Sequence, residues 1–493
     1  MFDAATLSKP PSALPTYDGS ATTIAIIGAG FSGTLLALHL LRRCPVGTRV
    51  ILIERSGQHG PGLAYATPNP AHRLNVPAGK MSAFHDRPLD FLQFLTQRSQ
   101  LGNGAEPPSA GAFVPRGEFG AYIRSLLQEA TQDPAIGQHL FLAHDDIIGL
   151  DRGADRLVLR GLHGARIEAD LAVLAIGNLP PAPLPLADDS FFQTQFYRHS
   201  PWAPDALTGL DRDAPVLLLG AGLTMVDTAV ALLDQGHRGT IHAVSRRGLL
   251  PHSHKPVPPV PLPNSPYPTR ALALLRLLRG QAREVEAAGG DWRGVVDALR
   301  PFTTDLWQAF PLEERQRFLR HLRPWWDIHR HRMAGAVADR INAACAQRHI
   351  QIHAGRVQAL GVAAGQAVAT IRMRGADAAT TLDAARVINC TGLGTDCRRL
   401  TDRLLQSLLR DGAVRPDALG LSVDVTPTGA VRKADGAVSR QIFAVGPMTR
   451  GAFWEMTAVP DIRRQCETLA QHLAGLVKTP APQVVERSTR API

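Results

Sequence analysis

Residues 23–33 read TIAIIGAGFSG. Five consecutive apolar or β-branched residues predict a short strand buried on both faces. Gly28, Gly30 and Gly33 follow at G-x-G-x-x-G spacing, Phe31 and Ser32 open a helical pattern that runs to about Arg43, and a second strand, RVILIE, ends at Glu54 with Arg55 next. In a strand–loop–helix–strand unit the three glycines do different things. Gly28 permits the tight turn, Gly30 lets a pyrophosphate approach the backbone, and Gly33 lets helix and strand pack closely. The helix N-terminus then points its free N–H groups at the phosphates. An acid where Glu54 stands accepts hydrogen bonds from ribose hydroxyls. The unit therefore predicts a dinucleotide site for a cofactor with free ribose hydroxyls.

The same plan recurs downstream. VLLLG (216–220) leads into a helical pattern, and TIHAVSRR (240–247) is the next strand. The first half continues through a helix (FGAYIRSLLQEA), a strand near FLAHDDIIGL, paired strands near 156–168, and LAVLAIG ending at Gly177. The second continues through AGAVADRINAACAQR, IQIHAG, paired strands near 356–373, and ARVINCTG. One duplicated unit explains both halves. The predicted fold class is α/β, with two Rossmann-like dinucleotide-binding domains, β-meander crossovers and a helical insertion in the second. The expected boundaries are a flexible leader (1–20), the first part of the first dinucleotide-binding domain (21–205), the second such domain (206–250 and 333–385), a Pro-rich then helical insertion (251–332), and the C-terminal part of the first domain (386–493).

The second loop reads Gly220-x-Gly222-x-Thr224-Met225, with Met225 in place of the third glycine. Met225 should hold the helix slightly away from the strand. The following strand ends in Ser245, Arg246 and Arg247 rather than in an acid. A carboxylate there would repel a 2′-phosphate, whereas arginines bind one through charge-assisted hydrogen bonds. The second site is expected to prefer NADPH to NADH. Two such sites suggest an electron relay from NADPH to a flavin in the first, the FAD site.

Composition narrows the alternatives. Of 493 residues, 45% are hydrophobic and 19% charged, which supports a folded core and argues against a coiled coil. No apolar run approaches the ~18 residues of a membrane span. The N-terminus lacks a signal-peptide pattern, so a cytoplasmic location is expected. The net charge of +10 is spread along the chain without a basic tail, so neither nucleic acid nor membrane is expected as a partner. The five cysteines include no C-x-x-C pair, which disfavours a zinc ribbon and a dithiol redox centre. No metal site is expected: His329 and His331, two apart on a helix, point to different faces.

Taken with GPGLAYATPNPAHRLNVPAGKMSAF, LAIGN, RPWWDIHRHRM and VGPMTRGAFWEMTAVPDIRRQ, the opening motif resembles the bacterial FAD/NAD(P)-binding proteins related to FAD-dependent urate hydroxylase and to the flavin-dependent aspartate N-monooxygenases, over nearly the whole chain. The resemblance implies that Gly62, Arg73, Leu74, Asn75 and Val76 line the flavin, with Gly177 of LAIGN. It implies that Gly446, Trp454, Glu455 and Ile462 close the site from the C-terminal side. The positive end of the helix near Pro460 could face the flavin pyrimidine ring.

The expected activity is monooxygenation through a C4a-hydroperoxyflavin, with dioxygen and a small polar substrate such as urate or an amino group. The alternatives are an NADPH-dependent flavin reductase and a non-catalytic FAD/NADPH-binding redox sensor. Asn75 is a candidate hydrogen-bond partner near the reacting centre, and also fits an ordinary turn amide. His72 and Arg73 could orient an anionic substrate, or be plain surface residues. Trp325 and Trp326 could wall a flat substrate. His329, Arg330 and Arg332 could bind carboxylates or the 2′-phosphate, or simply pack the insertion onto the cofactor domains.

Overall fold

A computed structural model describes residues 21–101, 106–153, 156–262, 266–394 and 396–477; the expected leader, 1–20, lies outside them. β1 (Thr23–Ile27), α1 (Phe31–Arg43) and β2 (Arg49–Glu54) form the unit that the opening motif predicts, with β1 and β2 parallel. All five residues of β1 are buried, because helices cover one face of its sheet and the meander and C-terminal segment cover the other. α2 (Gly62–Tyr65), α3 (Asp90–Leu101) and α4 (Arg116–Gln132) follow. α4 places Phe119, Ile123, Leu126 and Leu127 on one stripe against α1. β3 (Leu140–His144) extends the sheet beyond β2. β4 (Ile147–Arg152), β5 (Leu157–Gly161) and β6 (Arg166–Ala169) make a separate antiparallel meander, and β7 (Leu171–Leu174) returns beside β1.

After β8 (Tyr197–Arg198), the plan repeats as β9 (Val216–Leu219), α5 (Leu223–Asp234) and β10 (Ile241–Ser245). The insertion carries α6 (Ala271–Ala287), α7 (Trp292–Leu299), α8 (Thr303–Ala309), α9 (Leu312–Arg317), a π-helical turn at Phe318–Leu322, and α10 (Arg323–Arg330). α11 (Gly335–Ala346), β11 (Ile350–Ala363), β12 (Gln366–Met373), β13 (Ala379–Ala384) and β14 (Arg386–Asn389) complete the unit. The duplication extends to strand order. The first sheet contains β7-β1-β2-β3 and the second β14-β9-β10-β11. The difference lies in the crossover: the 14-residue β11 runs out of the parallel sheet into pairing with β12, so this meander stays joined to its sheet.

Two expected boundaries shift. β14 pairs with β9 and β8 pairs with β14, so the second sheet takes in residues 197–198 and 386–389, on the far sides of the boundaries drawn at 205/206 and 385/386. After the meander, the chain must return to the first strand of its own unit, and the buried strand RVIN does so. The chain then re-enters the first domain through α12 (Arg403–Arg410), β15 (Ala430–Arg432), β16 (Val438–Ala444), α13 (Arg450–Phe453) and α14 (Val459–Ala474). β16 pairs in parallel with β7. α14 buries Ile462, Cys466, Leu469 and Leu473, at helical spacing, in the core that α1 shares.

The two units are clamped together. Arg116 on α4 reaches Asp227 on α5 at 2.8 Å, with both side chains largely buried. Burial pushes the Asp227 carboxyl up, opposed by Arg116 and His72. The His72 ring lies 3.1 Å from the Asp227 carbonyl and meets the Trp202 edge. His72 is therefore a junction residue rather than a free surface group.

Candidate active site

The first loop has the geometry of a phosphate cradle. Gly28 adopts φ +103° and donates to the Ile53 carbonyl at 2.9 Å. A Cβ there would lie 2.4 Å from the Ala175 carbonyl oxygen. A Cβ on Gly33 would lie 1.9 Å from the Gly28 carbonyl oxygen, so α1 rests directly on the loop. Gly30 is the helix N-cap; no side chain caps it and no acid stands in the first turn, which leaves the helix amides open to an anion. Gly62, at φ +57°, lies against Gly30: a Cβ would fall 2.8 Å from the Gly30 Cα. Glu54 accepts from the Ala29 amide (2.9 Å) with one oxygen and from the Ser56 amide and hydroxyl (3.0 and 2.9 Å) with the other. It thus ties the strand end to the loop and still presents lone pairs where a ribose would lie. These residues fit FAD.

The neighbouring candidates divide. Phe31 is core, its ring 5.5 Å from Phe119. Ser32 is buried beneath Gly446, whose Cβ would lie 2.5 Å from the Ser32 hydroxyl oxygen, so the end of β16 closes on the loop. Gly177 follows β7 at φ +70° with open space beside it. Leu74 and Val76 are buried, and Asn75 between them is half-buried with an amide that hydrogen-bonds to no described residue. Ile462 packs in the core. Arg55 turns toward Asp402 at 3.7 Å, and Arg73 is exposed near the Phe113 carbonyl, so neither side chain enters the cradle.

The second loop repeats the turn: Gly220 has φ +114°, donates to the Val244 carbonyl at 2.7 Å, and would place a Cβ 2.3 Å from the Cys390 carbonyl oxygen. Gly222 caps α5 with no side-chain cap and no acid in the first turn. Thr224 is half-buried, and Met225, fully buried, fills the interval between helix and sheet that Gly33 leaves closed in the first unit. The Ser245 hydroxyl accepts the Gly248 amide and so shapes the turn. Arg246 is exposed and Arg247 lies 5.9 Å from the Trp325 ring; neither has a carboxylate within ion-pair distance among the described residues. Two uncommitted guanidinium groups at the end of β10 suit a 2′-phosphate. Changing both to alanine should raise the KM for NADPH at least about tenfold, from a loss of ~1.5–3 kcal/mol per charge-assisted bond, with little change for NADH. Steady-state kinetics with both nucleotides checks this.

Between the units, His254 donates from Nε2 to the Asn75 carbonyl at 2.9 Å, and its own amide donates to the Met333 carbonyl. Burial, aided by Arg332, pushes its pKa down from 6.5 to about 4, so it is neutral near pH 7. Because the folded pKa lies below the unfolded one, His254 adds stability that is complete above about 6.5 and lost as pH falls toward 4. Melting temperatures measured across that window should fall less steeply for His254→Gln than for the parent.

The sequence reading named Arg330 and Arg332 as carboxylate binders but missed the buried cluster that they form with Arg300 and Arg450. Trp454 sits at φ +61°, ψ −66°, the centre of a γ-turn closed by the Glu455 amide on the Phe453 carbonyl at 2.8 Å. The turn sends the Trp454 indole into the insertion, stacked on Trp307, and leaves Glu455 buried. Glu455 accepts from the Trp326 indole at 3.1 Å and lies 3.3 Å from Arg330. Burial alone would raise its carboxyl; Arg330, His331 and Arg450 outweigh that and hold it below the ordinary range. Burial pushes Arg450 down to about 10, and its guanidinium lies 4.6 Å over Trp454. Arg332 pairs with Asp297, and Arg300 with Asp461 in the first turn of α14. Arg330 Nε and Nη2, Arg332 Nε and Nη1, and Arg450 Nε are buried without a hydrogen-bond acceptor among the described residues. His329 instead packs between His252 and Trp292, with Nδ1 on the Trp325 carbonyl. The motif RPWWDIHRHRM signalled the place, but the convergence with Arg450 and Glu455 is tertiary.

The comparisons agree with this geometry. Residues 25–179 match a protein family described as FAD-NAD(P)-binding. Among solved structures, the ornithine hydroxylase of Pseudomonas aeruginosa superposes with a TM-score of 0.61 at 14% identity, covering 92% of this chain and 99% of that one. The ornithine N-hydroxylase of Kutzneria sp. 744, solved with reduced FAD, NADP+ and L-ornithine, gives 0.61 at 15%, covering 92% and 99%. The FAD-bound cadaverine monooxygenase of Erwinia amylovora gives 0.60 at 12%, covering 96% and 99%. No curated protein matches the sequence. The likeness establishes the two-domain fold. All five cysteines are free, and no described helix is long and apolar enough to cross a membrane.

Proposed function

We propose that the chain is an FAD- and NADPH-dependent monooxygenase that hydroxylates a small anionic molecule, an acidic amino acid at its amino group or a purine such as urate. The observation that carries this reading is the junction itself. Asn75, which the resemblance puts at the flavin, meets His254 at the start of the insertion that leaves the second unit, and the arginine cluster adjoins through Arg332 and Met333. Bound flavin would supply the electron transfer from NADPH to dioxygen that hydroxylation requires. Each turnover would consume NADPH, dioxygen and a proton, and release NADP+, water and the hydroxylated product.

The chain's own residues bind and orient. The under-bonded N–H groups of Arg330, Arg332 and Arg450 favour a carboxylate or a urate anion. The free Asn75 amide positions the substrate. Neutral His254 keeps the Asn75 backbone in register. The solved neighbours named above act on ornithine and cadaverine, so N-hydroxylation of an amine is the reaction type placed first. The arginines argue that the substrate here carries more negative charge than those do. With five free cysteines and no dithiol, electrons have no disulfide to reach, which favours oxygen as acceptor over a disulfide-reductase role.

The test is a coupled assay on the flavin-loaded protein. NADPH should bleach the flavin without oxygen. With oxygen, candidate acidic amino acids or urate should give product in step with NADPH consumed. NADPH consumption that yields only hydrogen peroxide with every candidate would leave a reductase. A flavin that NADPH does not bleach would remove both enzymatic readings.

A further inference from the structure

The insertion and Trp454 border a half-open cavity of about 590 Å³ whose lining includes neither dinucleotide loop. Small-molecule pockets fall at roughly 300–1,000 Å³. Five of the chain's six tryptophans line it: Trp292, Trp307, Trp325, Trp326 and Trp454. Most of the remaining wall is aliphatic, from α6, α7 and α8.

Two backbone irregularities shape the wall. The π-helical turn contributes Phe318 and Leu322, and such turns gather at functional sites. Trp454 reaches the cavity only because its γ-turn holds a positive φ that bulky residues rarely adopt.

The polar groups are few. The Thr303 hydroxyl is bonded to the Leu299 carbonyl. His329 commits Nδ1 to Trp325, leaving Nε2 as an acceptor. Arg279 lines the rim from the exposed side of α6 and has no carboxylate partner among the described residues.

We propose that the insertion is a receptor for an anionic amphiphile, its apolar body among the indoles and its acidic head at Arg279. This ligand is distinct from the polar substrate. Trp326 and Trp454 turn one side to the cavity, while the Trp326 indole N–H binds Glu455 and Arg450 covers Trp454. The site stands on the geometry of the insertion and of Trp454 and does not depend on the monooxygenase reading.

The test uses the flavin-loaded full chain and its tryptophan emission. Decanoate, below its micelle concentration, should change the emission saturably with one site per chain, and decanol should bind about two- to fivefold more weakly, as an ion pair at an exposed arginine allows. Arg279→Gln, at an exposed position, should erase the difference between the two. Ala282→Phe, which projects a ring into the cavity, should weaken both responses while the protein melts normally. The proposal is overturned if neither probe gives a saturable change, if Arg279→Gln leaves the decanoate preference intact, or if a normally melting Ala282→Phe protein binds as before. Should Ala282→Phe not fold, the Arg279→Gln comparison decides alone.

Discussion

Protein carrying Gly33→Met should purify without bound flavin. Met is the residue that the second loop carries at the corresponding place, so the change asks the first loop to adopt the packing of the second. A Cβ at Gly33 would lie 1.9 Å from the Gly28 carbonyl oxygen, and the obstacle is backbone. Gly28 cannot yield: it is held at φ +103°, and its own side is closed by the Ala175 carbonyl. The helix must therefore move, taking its amides with it. Hydrogen bonds to phosphate oxygens need donors within about 2.7–3.2 Å, so a shift of around 1 Å removes them. The overpacking itself should destabilise by about 1–3 kcal/mol. Flavin content per chain, read by absorbance after denaturation, checks the first effect, and circular dichroism separates it from unfolding. Met225→Gly is the counterpart. It empties a fully buried position in the second core and should cost about 2–5 kcal/mol while flavin content holds. A folded Gly33→Met protein with a full complement of FAD would remove the first loop from the cofactor site.

That contrast shows what was legible in the sequence. The loops, flanking strands and helices could be read because local chemistry dictates them: a buried parallel strand is a continuous apolar run, and a turn at positive φ wants glycine. The duplication was visible for the same reason, down to the strand in ARVINCTG, although the domain boundary was drawn before that strand and its pairing with β9 was not foreseen. Arg55 turns toward Asp402 and Arg73 toward the Phe113 carbonyl, since adjacency in a motif does not say which way a long side chain turns. Glu455 and Trp454 were expected, on resemblance, to close the flavin site. Their division of labour depends on a γ-turn at a tryptophan, which no propensity suggests. The arginine cluster brings together positions 300, 330, 332 and 450, and its unpaired atoms become apparent only once burial and partners are known.

The Glu455–Arg330 pair should behave as one electrostatic unit. Glu455→Gln keeps an acceptor for the Trp326 indole but removes the one carboxylate within ion-pair distance of Arg330 among the described residues. Arg330→Met removes the nearest guanidinium from a buried carboxylate. Each single change leaves an uncompensated buried charge and should destabilise by about 3–5 kcal/mol, whereas the double variant should cost less than the sum. Urea unfolding of the four proteins measures the coupling. Acid supplies a second readout. Because the folded Glu455 carboxyl titrates below its unfolded value, its contribution is complete above the ordinary carboxylate range and lost as pH falls through the folded value; Glu455→Gln should lack that loss. The 3.3 Å approach of Arg330 to Glu455 is not aligned as a hydrogen bond, so both partners remain under-bonded. A cluster in that state gains from an added anion. Acidic amino acids or urate at saturating concentration should therefore raise the melting temperature of the parent by several degrees, and ornithine or cadaverine should not. In Arg330→Met the anion effect should fall away. If the cationic amines stabilise the parent as well as the acidic ones do, the arginines serve packing alone and the anionic substrate class is wrong.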